Sequence, residues 1–209
     1  MPVATREPKI SSFGELHAFP SRKGGPFVAP PLLINPVFRA RPNHFDEGKA
    51  IWFWLCAPGQ PVKVASVDVP KLVMDAWRFR KTYIGQGELL AVPVALVIFA
   101  DDLRGTLLHW FIDNTSAAAS AIKGASPDAD NAPLALVGSL LAAALSIQFW
   151  VEHMFSAQNP ADIMTHLAFQ DPRVRRLVAA GHAVAYQCHI PWEDLTSLEA
   201  AKKLVRRWQ

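Results

Sequence analysis

Three acidic residues stand where an α/β protein could use them for chemistry. Asp113 ends a buried apolar strand, Glu88 begins the helix before that strand, and Asp162 lies in the first turn of the helix that follows the next strand. Active sites of open α/β sheets lie beyond the carboxyl ends of the strands, so these carboxylates converge if the strands are neighbours. The placement of these acids therefore makes Asp113 the centre of a candidate carboxylate cluster.

A carboxylate cluster without histidine or cysteine ligands favours hard cations such as Mg²⁺ or Mn²⁺. Two such ions about 3.5–4 Å apart can activate water and stabilise the leaving oxygen of a phosphodiester. The alternative interpretation is structural: Glu88 and Asp162 would complement the dipoles of their helices, and Asp113 would cap its strand. Spacing alone leaves both interpretations open.

The segment that carries Asp113 is the best-defined part of the chain, and residues 106–114 read TLLHWFIDN. The apolar, bulky residues 107–112 predict a buried strand. Asn114 or Thr115 predicts the cap of a helix over residues 115–122, which Lys123 and Gly124 end. His109 is expected on a face of the sheet.

The remaining segments predict the elements around this strand. Strand candidates are residues 32–38, 50–57, 62–67 and 147–154, and helix candidates are residues 70–77, 88–100 and 132–146. Further helices are expected after Asn159-Pro160, after Asp171-Pro172 and at the basic C-terminal end. The order predicts a mixed five-stranded α/β sheet, an antiparallel meander followed by parallel strands, flanked by helices. We expect an extended arm over residues 1–31, the α/β domain over residues 32–170 and a helical extension over residues 171–209.

The composition of the chain bounds its class. Of 209 residues, 51% are hydrophobic and 19% charged, which is typical of a globular protein. A net charge of +3 permits binding to an anionic polymer without requiring it. Cys56 and Cys188 form no metal-ligand spacing. No signal peptide is visible, and the apolar runs at residues 89–100 and 132–147 fall short of the ~20 residues of a membrane span. We expect a soluble intracellular protein that does not bind a membrane.

Three blocks of sequence resemble a known family. They read IGQGELLAVPVAL at residues 84–96, WFIDNTSAAASAIKGAS at residues 110–126 and WVEHMFSAQNPADIMTH at residues 150–166. They look like the helix-A "ELLA", the central-strand "DN" with its "KG.S", and the terminal "V.S..NPAD" of the ribonuclease H-like domains of retroelement polyproteins, where the domain follows a reverse transcriptase. The resemblance implies a ribonuclease H-like fold over just over half of the chain.

The resemblance also implies an activity and its residues. Members of this kind cut the RNA strand of an RNA–DNA hybrid by a two-metal mechanism and leave 3′-hydroxyl and 5′-phosphate ends. Glu88, Asp113 and Asp162 match three of the family's four metal-binding carboxylates, and Asp113 would bridge or hold the Mg²⁺ or Mn²⁺ ions. The predicted nucleic-acid contacts are Asn114, Thr115 and Ser116 at a helix N-terminus, and Lys123, which could equally be a solvated helix end.

The fourth carboxylate departs from the family pattern, which places it at the end of the first strand in a motif such as TDA or TDGA. The first strand here reads LLINPVF, so Asn35, a poorer metal ligand, could occupy the position. Asp46 in FDEG is the other candidate, and Asp68 fits the topology less well. The usual SR that closes the last block is Thr165-His166. His153, on the strand before the Asp162 helix, could approach a leaving group or serve a structural role.

Three hypotheses follow. The first is an active metal-dependent nuclease of the ribonuclease H type. The second is a catalytically inactive copy that acts as a nucleic-acid-binding or scaffold subunit of a larger complex, which Asn35 and the added terminal segments favour. The third is an enzyme of the same superfamily that acts on DNA. The residue that closes the first strand separates the first two.

Overall fold

A computed structural model of the chain describes residues 32–40, 49–79, 81–155, 159, 171–188, 190–195 and 197–208, and for residues 35–40 and 187 it describes the backbone only. These residues all belong to the structural unit Pro31–Gln209. The predicted arm over residues 1–31 lies outside the described residues. Its boundary, like the other domain boundaries, stays a prediction.

The described residues form one mixed sheet. Its strands are β1 (Leu32–Ala40), β2 (Lys49–Cys56), β3 (Val62–Val69), β4 (Leu107–Ile112), β5 (Gln148–His153) and β6 (Ala183–Gln187). Their order across the sheet is β5-β4-β1-β2-β3-β6. The β1–β2 and β2–β3 pairs are antiparallel, whereas β1–β4, β4–β5 and β3–β6 are parallel. The predicted fold class, an antiparallel meander followed by parallel strands, is confirmed, with six strands instead of five.

Eight helices accompany these strands in the described part of the chain. They are α1 (Lys71–Asp75), α2 (Ile84–Ile98), α3 (Ala100–Leu103), α4 (Thr115–Lys123), α5 (Asn131–Ala144), α6 (Pro172–Ala179), α7 (Trp192–Leu195) and α8 (Leu198–Trp208). Helix α2 packs against β1, α4 and α5, and α5 in turn contacts α8. None of the helices in the described part of the chain combines the length and the hydropathy of a membrane-spanning segment.

Two apolar clusters hold the sheet between its helices. The larger one joins Ile34, Phe53 and Trp110 of the sheet to buried residues of α2, α4, α5 and α8. The smaller one consists of strand residues that include Trp52 and Trp54, covered by residues of α6 such as Val174. Because side chains alternate along a strand, β2 supplies both clusters from opposite faces. Apolar packing on both faces thus stabilises the sheet, whose strand β4 ends just before Asp113.

Two predicted elements need correction. Helix α2 begins at Ile84 and not at Glu88, so the glycines at positions 85 and 87 lie inside the helix, and Glu88 is in its second turn. The segment after residue 171 is not purely helical, because residues 183–187 form β6 beside β3. The predicted β4 and the helices that follow Asn114 and Asp171 are confirmed.

Candidate functional site

The corner between β4 and α4 carries Asp113. Ile112, the last residue of β4, is fully buried, and Asp113, which follows it, is partly buried. Asn114 caps α4: its side-chain oxygen accepts a hydrogen bond from the Ala117 N–H at 2.9 Å, and its carbonyl accepts one from Ala118 at 2.9 Å. The first bond satisfies an N–H group that a helix N-terminus otherwise leaves open, and the second is the first backbone bond of the helix. The backbone of Asp113 is therefore held by β4 on one side and by the cap of α4 on the other.

Helix α2 brings Glu88 to this corner. A methyl group placed on Gly85, in the first turn of α2, would lie 3.7 Å from the side-chain nitrogen of Asn114. Glu88 follows Gly85 by three residues, and residues three apart share a helix face. Glu88 therefore lies one turn along the face of α2 that meets the α4 cap. It is only 1% exposed, which is unusual for a carboxylate in a protein core.

Strand β1 lies directly beside β4 but carries no acid. Ile34 pairs with Trp110 in parallel register, and Asn35 is the next residue, paired on its other side with Trp54. The nine residues of β1, LLINPVFRA, include neither aspartate nor glutamate. The fourth carboxylate of a ribonuclease H-type site is thus missing from the strand that was expected to hold it.

Asp68 cannot replace the missing acid from its place in the sheet. It lies near the end of β3, is exposed, and pairs with Ala50 of β2. Two strands, β1 and β2, separate β3 from β4. With neighbouring strands about 4.8 Å apart, the backbones of β3 and β4 are roughly 14 Å apart. Asp68 therefore belongs to a different part of the surface.

The other predicted acids lie outside the described residues. These are Asp162 and Asp46, and the Thr165-His166 pair that closes the third sequence block lies outside them too. Within the described residues, no group of three or more histidine, cysteine, aspartate or glutamate side chains could hold a metal ion. The described part of the site thus supplies two carboxylates, Glu88 and Asp113, whose oxygen donors are of the kind that Mg²⁺ and Mn²⁺ prefer. The two carboxylates are therefore suitable ligands for such an ion, but its coordination would need further ligands.

The residues predicted to contact phosphates are spread along α4. Thr115 and Ser116 are exposed in its first turn, and Lys123 is exposed at its last residue. At a rise of 1.5 Å per residue, Lys123 lies about 12 Å from Thr115 along the helix axis. The helix N-terminus and Lys123 could therefore meet different phosphates of a nucleic acid, but not the same one.

Two histidines flank the corner on β4 and β5. The Nε2 atom of His153, the last residue of β5, lies 3.2 Å from the main-chain oxygen of Asp113. His109, within β4, forms a hydrogen bond of 2.7 Å with Glu152 and stacks on Phe111. His109 therefore has the structural role expected of it, whereas His153 touches the candidate site.

Two features of the corner were not found from the sequence. Gly85 was expected to precede the helix, yet it lies in the first turn of α2 and approaches the Asn114 side chain. Gln86, beside it, is a buried polar residue at 4% exposure. The glycines on either side of Gln86 were the available signal, since a glycine inside a helix often marks a close approach of another element.

The comparisons with known proteins add little to this geometry. No protein-family model matches the chain, and no curated protein matches it either. Among solved structures, the ribonuclease H1 of the halophilic archaeon Halobacterium salinarum NRC-1 is similar, with a TM-score of 0.41 and 16% sequence identity over 62% of this chain and 88% of that one. A likeness at this level carries no argument about activity, which has to come from the site itself.

Proposed function

We propose that the chain is a metal-dependent nuclease of the ribonuclease H type, which hydrolyses the RNA strand of RNA–DNA hybrids by a two-metal mechanism. The proposal is supported by two observations: Asp113 directly follows β4, and the buried Glu88 lies one turn after Gly85, the residue of α2 that approaches the Asn114 side chain. Burying a carboxylate is unfavourable unless another group compensates for its charge. A bound cation would supply that compensation together with the groups that already contact Glu88. The three sequence blocks support a retroelement origin for this site.

Glu88 and Asp113 would hold Mg²⁺ or Mn²⁺, with Asp162 as the third ligand and Asp46 as the candidate fourth. When bound, such ions generate a hydroxide from water and stabilise the charge on the leaving oxygen of a phosphodiester. The protein's own contribution is to fix the oxygen donors before the ions bind. Asn114 does so by capping α4, and Gly85 by letting α2 approach that cap.

Helix α4 would orient the nucleic acid. The N–H groups of Thr115 and Ser116 lie at its positive end, which favours a phosphate of the substrate backbone. Lys123, about 12 Å further along the axis, would contact another phosphate as a point charge. Both contacts are independent of base sequence, so the expected substrate class is a duplex recognised through its backbone.

A second candidate function is favoured by one observation: β1, the neighbour of β4, contains no acid. A site with too few carboxylates would bind no metal ions and would not hydrolyse a phosphodiester. The exposed residues of α4 could still contact nucleic acid. The chain would then be an inactive ribonuclease H-like domain that binds nucleic acid or serves as a subunit of a larger complex.

The test uses the full chain and an RNA–DNA hybrid labelled on either strand. We expect Mg²⁺ or Mn²⁺ to support cutting of the RNA strand alone, with 3′-hydroxyl products, and EDTA to stop it. RNA duplex and DNA duplex of the same sequence serve as matched substrates. Binding of the hybrid without cutting would support the second candidate, and cutting of the DNA duplex alone would reject the proposed substrate.

A further inference from the structure

The main-chain carbonyl of Asp113 lies between two hydrogen-bonding systems. On its N-terminal side, the carbonyl of Ile112 accepts the N–H of Met154 at 2.9 Å, which continues the pairing of β4 with β5. On its C-terminal side, the carbonyl of Asn114 accepts the N–H of Ala118 and so belongs to α4. Asp113 therefore connects the strand to the helix, and rotation of its peptide group would change the direction of its carboxylate.

His153 contacts the Asp113 peptide group. It pairs with Ile112 in the β4–β5 register, and its Nε2 atom lies 3.2 Å from the Asp113 carbonyl oxygen. A carbonyl only accepts hydrogen bonds, so the contact requires a proton on Nε2. Phe155 packs against the imidazole at right angles, with ring centroids 5.4 Å apart. The ring is thus held with its donor directed at Asp113.

We propose that His153 is a positioning residue: by donating its Nε2–H to the Asp113 carbonyl, it fixes the direction in which the Asp113 carboxylate is presented to a metal ion. The inference rests on the proposed function. It assigns to His153 no contact with substrate and no transfer of a proton. Groups that orient metal ligands from outside typically contribute about 10–100-fold to metal affinity.

The β4–β5 pairing does not depend on the imidazole, which makes the residue testable. The backbone bond from Met154 to Ile112 remains when the side chain is changed. His153→Phe removes the donor and keeps a ring for the contact with Phe155. His153→Gln keeps a side-chain N–H donor. His182, an exposed histidine just before β6 at the opposite edge of the sheet, provides the matched control His182→Phe.

The experiment measures Mn²⁺ binding to the full chain by electron paramagnetic resonance, and the 13C resonance of the Asp113 carbonyl by NMR. We expect His153→Phe to shift that resonance and to weaken Mn²⁺ binding about tenfold, whereas His153→Gln restores most of both and His182→Phe changes neither. An unchanged carbonyl resonance, or undiminished Mn²⁺ affinity, in His153→Phe overturns the positioning role.

Failure of the proposed function gives a different pattern. If Asp113→Asn binds Mn²⁺ as the wild type does, Asp113 is not a ligand, and the metal site falls together with the role of His153 in it. If Asp113→Asn loses the ion while His153→Phe retains it, the metal site stands and only the positioning role is wrong.

Discussion

Ile34 of β1 and Trp110 of β4 pair side by side in parallel register, and both side chains are fully buried. This pairing makes β1 the strand next to Asp113. In a ribonuclease H-type site, that strand should supply the fourth carboxylate, yet β1 supplies none. Whether the chain is an enzyme or an inactive copy therefore depends on an acid from another segment.

Asp46 is the candidate for that acid, so we expect Asp46→Asn to weaken Mn²⁺ binding and to lower hybrid cleavage by about 100-fold, the scale seen when one charge-stabilising group is removed. The reciprocal variant is Asn35→Asp. If Asp46→Asn changes nothing while Asn35→Asp raises metal binding, the first-strand position is the vacant one, and the wild-type chain is the inactive copy. Mn²⁺ titration of the three proteins decides between them.

Asn114→Ala should destabilise the protein by about 1 kcal/mol, because the N-cap bond to the Ala117 N–H is lost. Asn114→Asp, which keeps a side-chain oxygen acceptor, should retain most of that stability. Ser116→Ala, an exposed change in the first turn of the same helix, is the control and should stay within about 0.5 kcal/mol of wild type. Urea unfolding midpoints measure all three, and an Asn114→Ala midpoint equal to that of wild type would contradict the assigned cap.

Gly124→Ala should be more damaging than Gly105→Ala, although both glycines have positive φ angles, of 62° and 69°. A methyl group at position 124 would lie 2.5 Å from the Ser139 hydroxyl oxygen, whereas at position 105 it would meet open space. Backbone strain alone costs about 1–2 kcal/mol at each site, and the clash adds to it only at position 124. In a Ser139→Ala background, the gap between the two variants should narrow. Equal losses of stability for the two variants in the wild-type background would show that Ser139 does not pack closely against Gly124.

Asp171 should make the fold sensitive to acid. Its pKa lies below the ordinary carboxyl value because the Arg173 side chain donates to it, and backbone N–H bonds and the nearby positive charge act in the same direction against the effect of burial. A carboxyl whose pKa is lowered by folding stabilises the fold above its unfolded pKa, near 4, and this stability is lost as the pH falls through the folded pKa.

The measurement for Asp171 compares urea midpoints at pH 7 and pH 3. Asp171→Asn should be less stable than wild type at pH 7, and the difference between the two midpoints should be smaller at pH 3. Arg173→Ala should behave like Asp171→Asn, whereas Arg175→Ala, an exposed change on the same helix, should follow wild type. A constant gap between wild type and Asp171→Asn at both pH values would reject the ionic explanation.

The elements with local signals could be predicted from the sequence. The strand of Asp113 is a bulky apolar run, Asn114 is a capping residue, and Gly124 ends α4 in the left-handed conformation. Strand β6 could not be predicted, because its five residues, AVAYQ, are short and weakly patterned. It exists through pairing with β3, more than 100 residues earlier in the chain. Distant pairing of this kind leaves no mark on local periodicity.

The candidate site also contains features that the sequence predicts and features that it does not. Asp113 was predictable from the end of its strand, but Glu88 was placed at the start of a helix that begins a turn earlier. Gly85 and Gly87 have a low helix propensity, yet both lie inside α2, where Gly85 approaches the Asn114 side chain. The contact of His153 with the Asp113 carbonyl follows from the register of β4 and β5, which the sequence alone does not specify.

The most direct test of a metal-dependent nuclease centred on Asp113 is the single-turnover rate of RNA cleavage in a labelled hybrid with Mg²⁺ or Mn²⁺. Asp113→Asn should cut at least about 100-fold more slowly than wild type, while Asp101→Asn, the same change at an exposed acid of α3, should cut at the wild-type rate. Equal rates for wild type and Asp113→Asn, or no cleavage by folded wild-type protein, would contradict the account.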